Sequence, residues 1–225
     1  MSNVLHRSSR THKNKKDFRL EFGQERMSEN HWQEKSCFRM KTDSILTVYI
    51  NDRIYAPNRE QADENGGIHR KTKFPQGVMV WLGVCYDGVT RPVIIENGTI
   101  NHQRYVDEIL PVILEDGQKL MGNEFTFQQD GAPAHKDHHT QTWCKDHFWD
   151  FWPKSRWPPN SPDLNPLDYS IWYELCEQMN WGQKTLIYQI RAGVKKIRTE
   201  VVRRSVDCWT NRVYRMLQKR CEYVF

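Results

Sequence analysis

Apolar residues fall in short alternating runs along the first half of the chain and shift to three-and-four spacing in the second. Within the β-leaning stretch 36–50, "SILTVYI" (Ser44–Ile50) predicts a strand. Asn51–Gln76 is rich in turn formers and predicts a long loop, with a short strand at "RIYA". "GVMVWLGVCYDGVTRPVIIENGTI" (Gly77–Ile100) predicts two strands around the Asp87-Gly88 turn. In the next segment Tyr105, Ile109 and Ile113 recur four apart, predicting a helix that Pro111 must kink. A strand follows at "EFTFQQD", its register fixed by Phe125 and Phe127, then a helix from about His138 to His147. Two amphipathic helices close the chain: Leu186, Ile190, Val194, Ile197 and Val201 stripe the first, and Val206, Trp209, Val213, Met216 and Leu217 the second. This order of elements predicts an α/β fold, a mixed central sheet covered by helices.

Composition narrows the picture. The 225 residues suffice for one domain with a real core, and 38% hydrophobic against 27% charged residues describes a polar globular chain. No apolar run approaches the roughly 18 residues of a membrane span, so no membrane partner is expected. Six cysteines without a CxxC pair argue for reduced thiols rather than a disulfide frame or zinc ribbon. No P-loop or GxGxxG pattern is present, so neither nucleotide hydrolysis nor a small-molecule substrate is expected. The net charge is +5, concentrated at the ends. Arg7, Arg10, Lys13, Lys15, Lys16 and Arg19 crowd a polar N-terminal segment without core periodicity, so residues 1–31 read as a basic tail with one frayed helix and 32–225 as the domain. Lys195, Lys196, Arg203 and Arg204 belong to a basic C-terminal helical region; such ends suit a polyanion crossing the surface.

The chemistry concentrates in two segments, "FQQDGAPAH" and "RWPPNSPDLNPLDYSIW". In the second, Asn165 is a good N-cap and Pro166 suits the first helical position, which puts Asp168 in the first turn of a helix. Asp168, Trp172, Leu175 and Met179 share one face, apolar below its first member, and a carboxylate heading such a stripe needs a cationic partner. Asp163 serves a turn through its side chain. Asp130 follows a strand, and strand ends are where open α/β sheets bind ligands. Two carboxylates on a strand end and a helix start can converge on Mg²⁺, which takes oxygen ligands. Trp143, Trp149, Trp152 and Trp157 are expected to pack in or around the core. The segment "HKDHH" is not expected to hold a metal; its His138 and His139 are expected to open a helix.

Together with "GVMVWLGV" and "NDRIYAP", these two segments resemble the mariner-type transposases of the DDE/D superfamily, over roughly Trp32 to the C-terminus. The resemblance implies a ribonuclease H-like catalytic domain, two bound Mg²⁺ or Mn²⁺ ions, and DNA strand cleavage and transfer. It implies transposon ends and target DNA as partners, a homodimer, and action in the nucleus. It assigns Asp130 and Asp168 as the second and third metal-binding acids, and places His135 near the active site, assisting DNA or metal placement. For the first acid two registers compete. One puts Asp43 on the motif, with Ser44 in place of the usual glutamate; the other puts Met40 there, which cannot hold the metal. Asp43 is preferred because it directly precedes the strand "SILTV". The family's paired helix-turn-helix domains have no counterpart, so 1–31 reads as a tail or linker remnant. The alternative function is a catalytically inactive or domesticated remnant, binding DNA or protein.

Overall fold

The computed structural model describes residues 15–28, 37–47, 77–179 and 185–224, the stretch 37–47 by the course of its backbone. The predicted strand "RIYA" and the loop around it lie outside these residues.

The centre is one mixed sheet ordered β3-β2-β1-β5-β6, formed by β1 (Cys37–Thr47), β2 (Gly77–Cys85), β3 (Gly88–Val89), β5 (Thr126–Gln128) and β6 (Asp150–Phe151); β4 (Val93–Ile95) also pairs with β2. The predicted hairpin is present, with Cys85 opposite Gly88 across the Tyr86-Asp87 turn. β1 runs antiparallel to β2 and parallel to β5, so it lies at the middle of the sheet.

Alternation along β2 divides the core between the two faces of the sheet. Trp81 and Cys85 join Phe125 and Phe127 on one face, covered by α2 and α4. α2 runs His102–Arg104, through a π-helical Tyr105–Ile109, into Leu110–Met121. α4 is His138–His147, within the predicted bounds. Tyr105, Ile109 and Ile113 are fully buried as the spacing requires. The irregularity expected at Pro111 takes the form of that π turn, closed by Leu110 N–H donating to the Tyr105 carbonyl. Proline offers no N–H and crowds the preceding turn, so the helix widens just before it. A Cβ on Gly117 would stand 2.7 Å from Phe125 Cζ, so glycine is what allows α2 to lie this close to β5.

Val80, Leu82 and Val84 face the other side, under α5, α6 and α7. α5 is a π-helical Leu167–Ile171 continuing as Trp172–Gln178; α6 is Leu186–Val194 and α7 is Thr199–Asp207. The first predicted C-terminal helix is therefore two, parted at 195–198; Val202 takes the core place expected of Val201, and Val206, expected on the last helix, belongs to α7. α8 (Trp209–Gln218) closes the domain as expected.

The N-terminal segment departs from expectation. Residues 15–28 form a packed helix, α1 (Lys15–Ser28), whose Phe22 is 2% exposed and meets Trp152, Trp157 and Trp209 edge-on. Burying such a ring stabilises by roughly 1.5–3 kcal/mol. Arg19, read from the sequence as surface charge, is fully buried. The buried positions of this helix are Arg19, Phe22, Gly23 and Arg26, and with one large apolar residue among them they give no apolar periodicity.

Candidate functional site

The two segments that carried the sequence argument meet. Just beyond β5, and at the head of α5, Asp130 and Asp168 line one cleft of about 560 Å³, with Lys136, Asn160, Ser161 and Tyr223 also on its wall.

Asp130 is held from below. Its Oδ1 accepts the Ala132 N–H at 3.0 Å, fixing the turn after the strand. The same oxygen lies 2.8 Å from His135 Nδ1. α3 (Pro133–Lys136) carries His135, whose side chain is 1% exposed and whose ring packs 4.5 Å from Tyr105. Tyr105 in turn donates its hydroxyl to Gln129 Oε1 at 2.9 Å, and Gln141 donates to the His135 carbonyl at 2.8 Å. The imidazole therefore acts on the cleft through Asp130. The ring itself, 1% exposed, is not part of the cleft wall. Asp130 keeps 23% of its side chain exposed toward the cleft.

Asp168 is placed by helix initiation. Asn165 Oδ1 accepts the Leu167 N–H at 3.1 Å and the Asn165 carbonyl accepts the Asp168 N–H at 2.9 Å, a capped first turn. Below it Trp172, Leu175 and Met179 are buried, while Asp168 is half-buried.

Asp163 serves more than a turn. Its carboxylate is clamped by Arg19, Nη1 to Oδ1 at 2.9 Å and Nη2 to Oδ2 at 2.6 Å, and Oδ2 accepts the Val224 N–H at 2.9 Å. Both side chains are almost wholly buried, so this ion pair ties α1, the proline-rich segment and the C-terminus together. The backbone spacing that separates Asp163 from Asp168 also separates architecture from cleft.

β1 brings both candidates for the first acid to the centre of the sheet. Its pairs with β5 run from Cys37 with Thr126 to Arg39 with Gln128, and Met40 follows directly, opposite Gly83 of β2. Asp43 lies where the register with β2 shifts, between Lys41 and Ser44. Bulges of this kind re-aim side chains and recur beside active sites. The side chains of Met40 and Asp43 lie outside the described residues.

Beside the cleft, Gln128 is fully buried, and neither atom of its amide has a hydrogen-bond partner among the described residues. The expected polyanion-contacting residues Lys195, Lys196, Arg203 and Arg204 are exposed, and none lines the cleft; Arg203 lies over the Tyr86 ring. Lys136, on the cleft wall, went unremarked in the sequence because a lone lysine carries no pattern. Of the four tryptophans, Trp152 and Trp157 are core, while Trp149 is 71% exposed.

The histidine segment also changes in three dimensions. The start of α2 delivers His102 to Asp137 and His139, so that one donor atom from each lies within 4.8 Å of the others. His102 lies thirty-odd residues upstream of the histidine segment.

No protein-family model matches the chain. The Tc1 transposable-element transposase of Caenorhabditis elegans is 29% identical over 99 residues, covering 41% of this chain and 34% of that protein. Among solved structures, the Mos1 transposase paired-end complex with the left transposon end matches at TM-score 0.74 and 14% identity, over 99% of this chain and 68% of that one. The catalytic domain of Mos1 mariner transposase matches at TM-score 0.65 and 13% identity, over 96% and 98%. At such identities the likeness is one of fold: the chain has the mixed, ribonuclease H-like sheet-and-helix architecture of these transposases, with a helical C-terminal segment.

Proposed function

We propose that the cleft between Asp130 and Asp168 is a metal-dependent DNA strand-cleavage and strand-transfer site, of the kind found in mariner-type transposases. The observation that carries this reading is the meeting in one cleft of two carboxylates, each singled out by a separate argument. The donor set fits a hard cation: two aspartates, with Asp43 on β1 as the third, offer only oxygen. Bound there, a pair of Mg²⁺ or Mn²⁺ ions would activate the attacking oxygen and stabilise the leaving one.

The chain's own part is placement. His135 and the Ala132 N–H fix one oxygen of Asp130, so its carboxylate is oriented before any ligand arrives. The Asn165 cap does the same for the turn carrying Asp168. Lys136 on the wall can pair with a phosphate. The exposed basic residues of α7 and the loop before it, Lys195, Lys196, Arg203 and Arg204, extend the contact by neutralising backbone charge, giving sequence-tolerant, salt-sensitive binding. DNA ends and target DNA, a homodimer and a nuclear setting belong to the same reading, as does residues 32–225 as its catalytic unit.

The second reading, an inactive remnant that binds DNA or protein, is favoured by Met40, which continues the β1–β5 ladder immediately after its last pair. Nicking of supercoiled plasmid DNA separates the two. The active protein nicks with Mg²⁺ or Mn²⁺, and Asp43→Asn, Asp130→Asn and Asp168→Asn each abolish nicking while circular dichroism is unchanged. A parent protein that binds DNA but never nicks it supports the remnant.

A further inference from the structure

A second cluster of chemistry-bearing side chains lies away from the cleft, where His102 and His139 line a groove of about 400 Å³ between the start of α2 and α4 and Asp137 stands beside them. No residue lining this groove lines the cleft. Asp137 caps α4, its Oδ1 accepting the His139 N–H at 2.9 Å. That role needs nothing from α2, yet α2 supplies His102. The two imidazoles turn the same nitrogen toward the two oxygens of one carboxylate: His139 Nδ1 is 3.1 Å from Oδ1 and His102 Nδ1 is 3.4 Å from Oδ2. Their rings stack 5.2 Å apart with planes only 16° from parallel.

We propose that His102, Asp137 and His139 bind one divalent cation of the zinc class, which staples the first turn of α2 to the N-terminus of α4. The donor set decides the class. Two imidazole nitrogens and one carboxylate oxygen match a zinc site with three protein ligands and one open position. Mg²⁺ and Ca²⁺ prefer all-oxygen sets, so Mg²⁺ in the cleft does not compete here. Spacing agrees as well. Ligands held at about 2.0–2.1 Å in a tetrahedron stand roughly 3.3–3.4 Å apart, close to the two Nδ1-to-oxygen distances. The remaining separation, within 4.8 Å, closes by small rotations of two partly exposed rings. Ligation would replace the ring–carboxylate contacts, each imidazole presenting Nδ1 to the ion and carrying its proton on Nε2.

Calorimetric titration of the full chain with ZnCl₂, in excess Mg²⁺, tests this site independently of the cleft. The expected result is one zinc per chain and a raised melting temperature. His102→Gln and His139→Gln should each weaken zinc at least about tenfold, since even losing an outer-shell partner typically costs 10–100-fold. Asp137→Asn separates ligand from cap: asparagine still caps α4, so helicity stays and affinity falls. Asp130→Asn should leave zinc binding unchanged. Co²⁺ substituted for zinc should give visible bands without the near-ultraviolet charge transfer of thiolate ligation. The proposal is overturned if no saturable zinc binds, if both histidine variants bind as the parent does, or if Co²⁺ reports thiolates.

Discussion

Replacing Arg19 by methionine isolates what holds the N-terminal helix to the domain. In the folded protein the guanidinium spends Nη1 on Ser161 Oγ at 2.7 Å and Asp163 Oδ1 at 2.9 Å, and Nη2 on Asp163 Oδ2 at 2.6 Å and the Glu222 carbonyl at 3.1 Å. The two side chains are 1% and 4% exposed, so solvent screens the pair very little. Arg19→Met leaves the Asp163 carboxylate buried with its cation gone, which typically costs ~3–5 kcal/mol. For a chain of this size that corresponds to roughly 6–20 °C in Tm. Urea denaturation with an unchanged m-value is the assay. The double variant Arg19→Met/Asp163→Asn removes both charges and should recover part of the loss, because the single variant's cost is mostly that of an unpaired charge. A loss below about 1 kcal/mol, the value of an exposed pair, would refute the reasoning. Removing residues 1–28 should then destabilise the whole domain, contrary to the behaviour of a tail.

Gln128→Met should raise stability by about 1–3 kcal/mol, because the buried amide has no partner among the described residues; a lower urea midpoint would mean that the amide is bonded in solution. Glu174 is held by Arg198 through two 2.7 Å contacts, and these hydrogen bonds keep its carboxyl below the usual range. A depressed carboxylate contributes stability above its unfolded value, near pH 4.5, that is lost as pH falls through its folded value. Urea midpoints at pH 7 and pH 3 should therefore differ less in Glu174→Gln than in the parent, and an equal difference would remove Glu174 from the acid response.

Local rules found much of the site. The Asn165 cap set the phase of α5, and that phase alone put Asp168 above Trp172, Leu175 and Met179. Alternation at Phe125 and Phe127 set the phase of β5, so Asp130 came out at the strand end. What escaped depends on contacts between distant segments. Arg19 and Asp163 are far apart in sequence, and neither shows locally that it is buried with the other. His102 carries no sign that α2 will bring it to Asp137. The break at 195–198 was hidden because a stripe of apolar residues continues across it, with Ile197 reading as the next member. The charge of the N-terminal segment misled in a similar way: basic residues counted as surface included one that is wholly internal.

The central claim, that Asp130 and Asp168 together hold a catalytic cation, is tested most directly by locating the metal. Crystals grown with Mn²⁺ and measured across the manganese absorption edge should show anomalous density in the cleft, in contact with both carboxylates. The same density should be absent from Asp130→Asn crystals grown alike. An empty cleft in the parent protein, or manganese bound only at His102, Asp137 and His139, would contradict it.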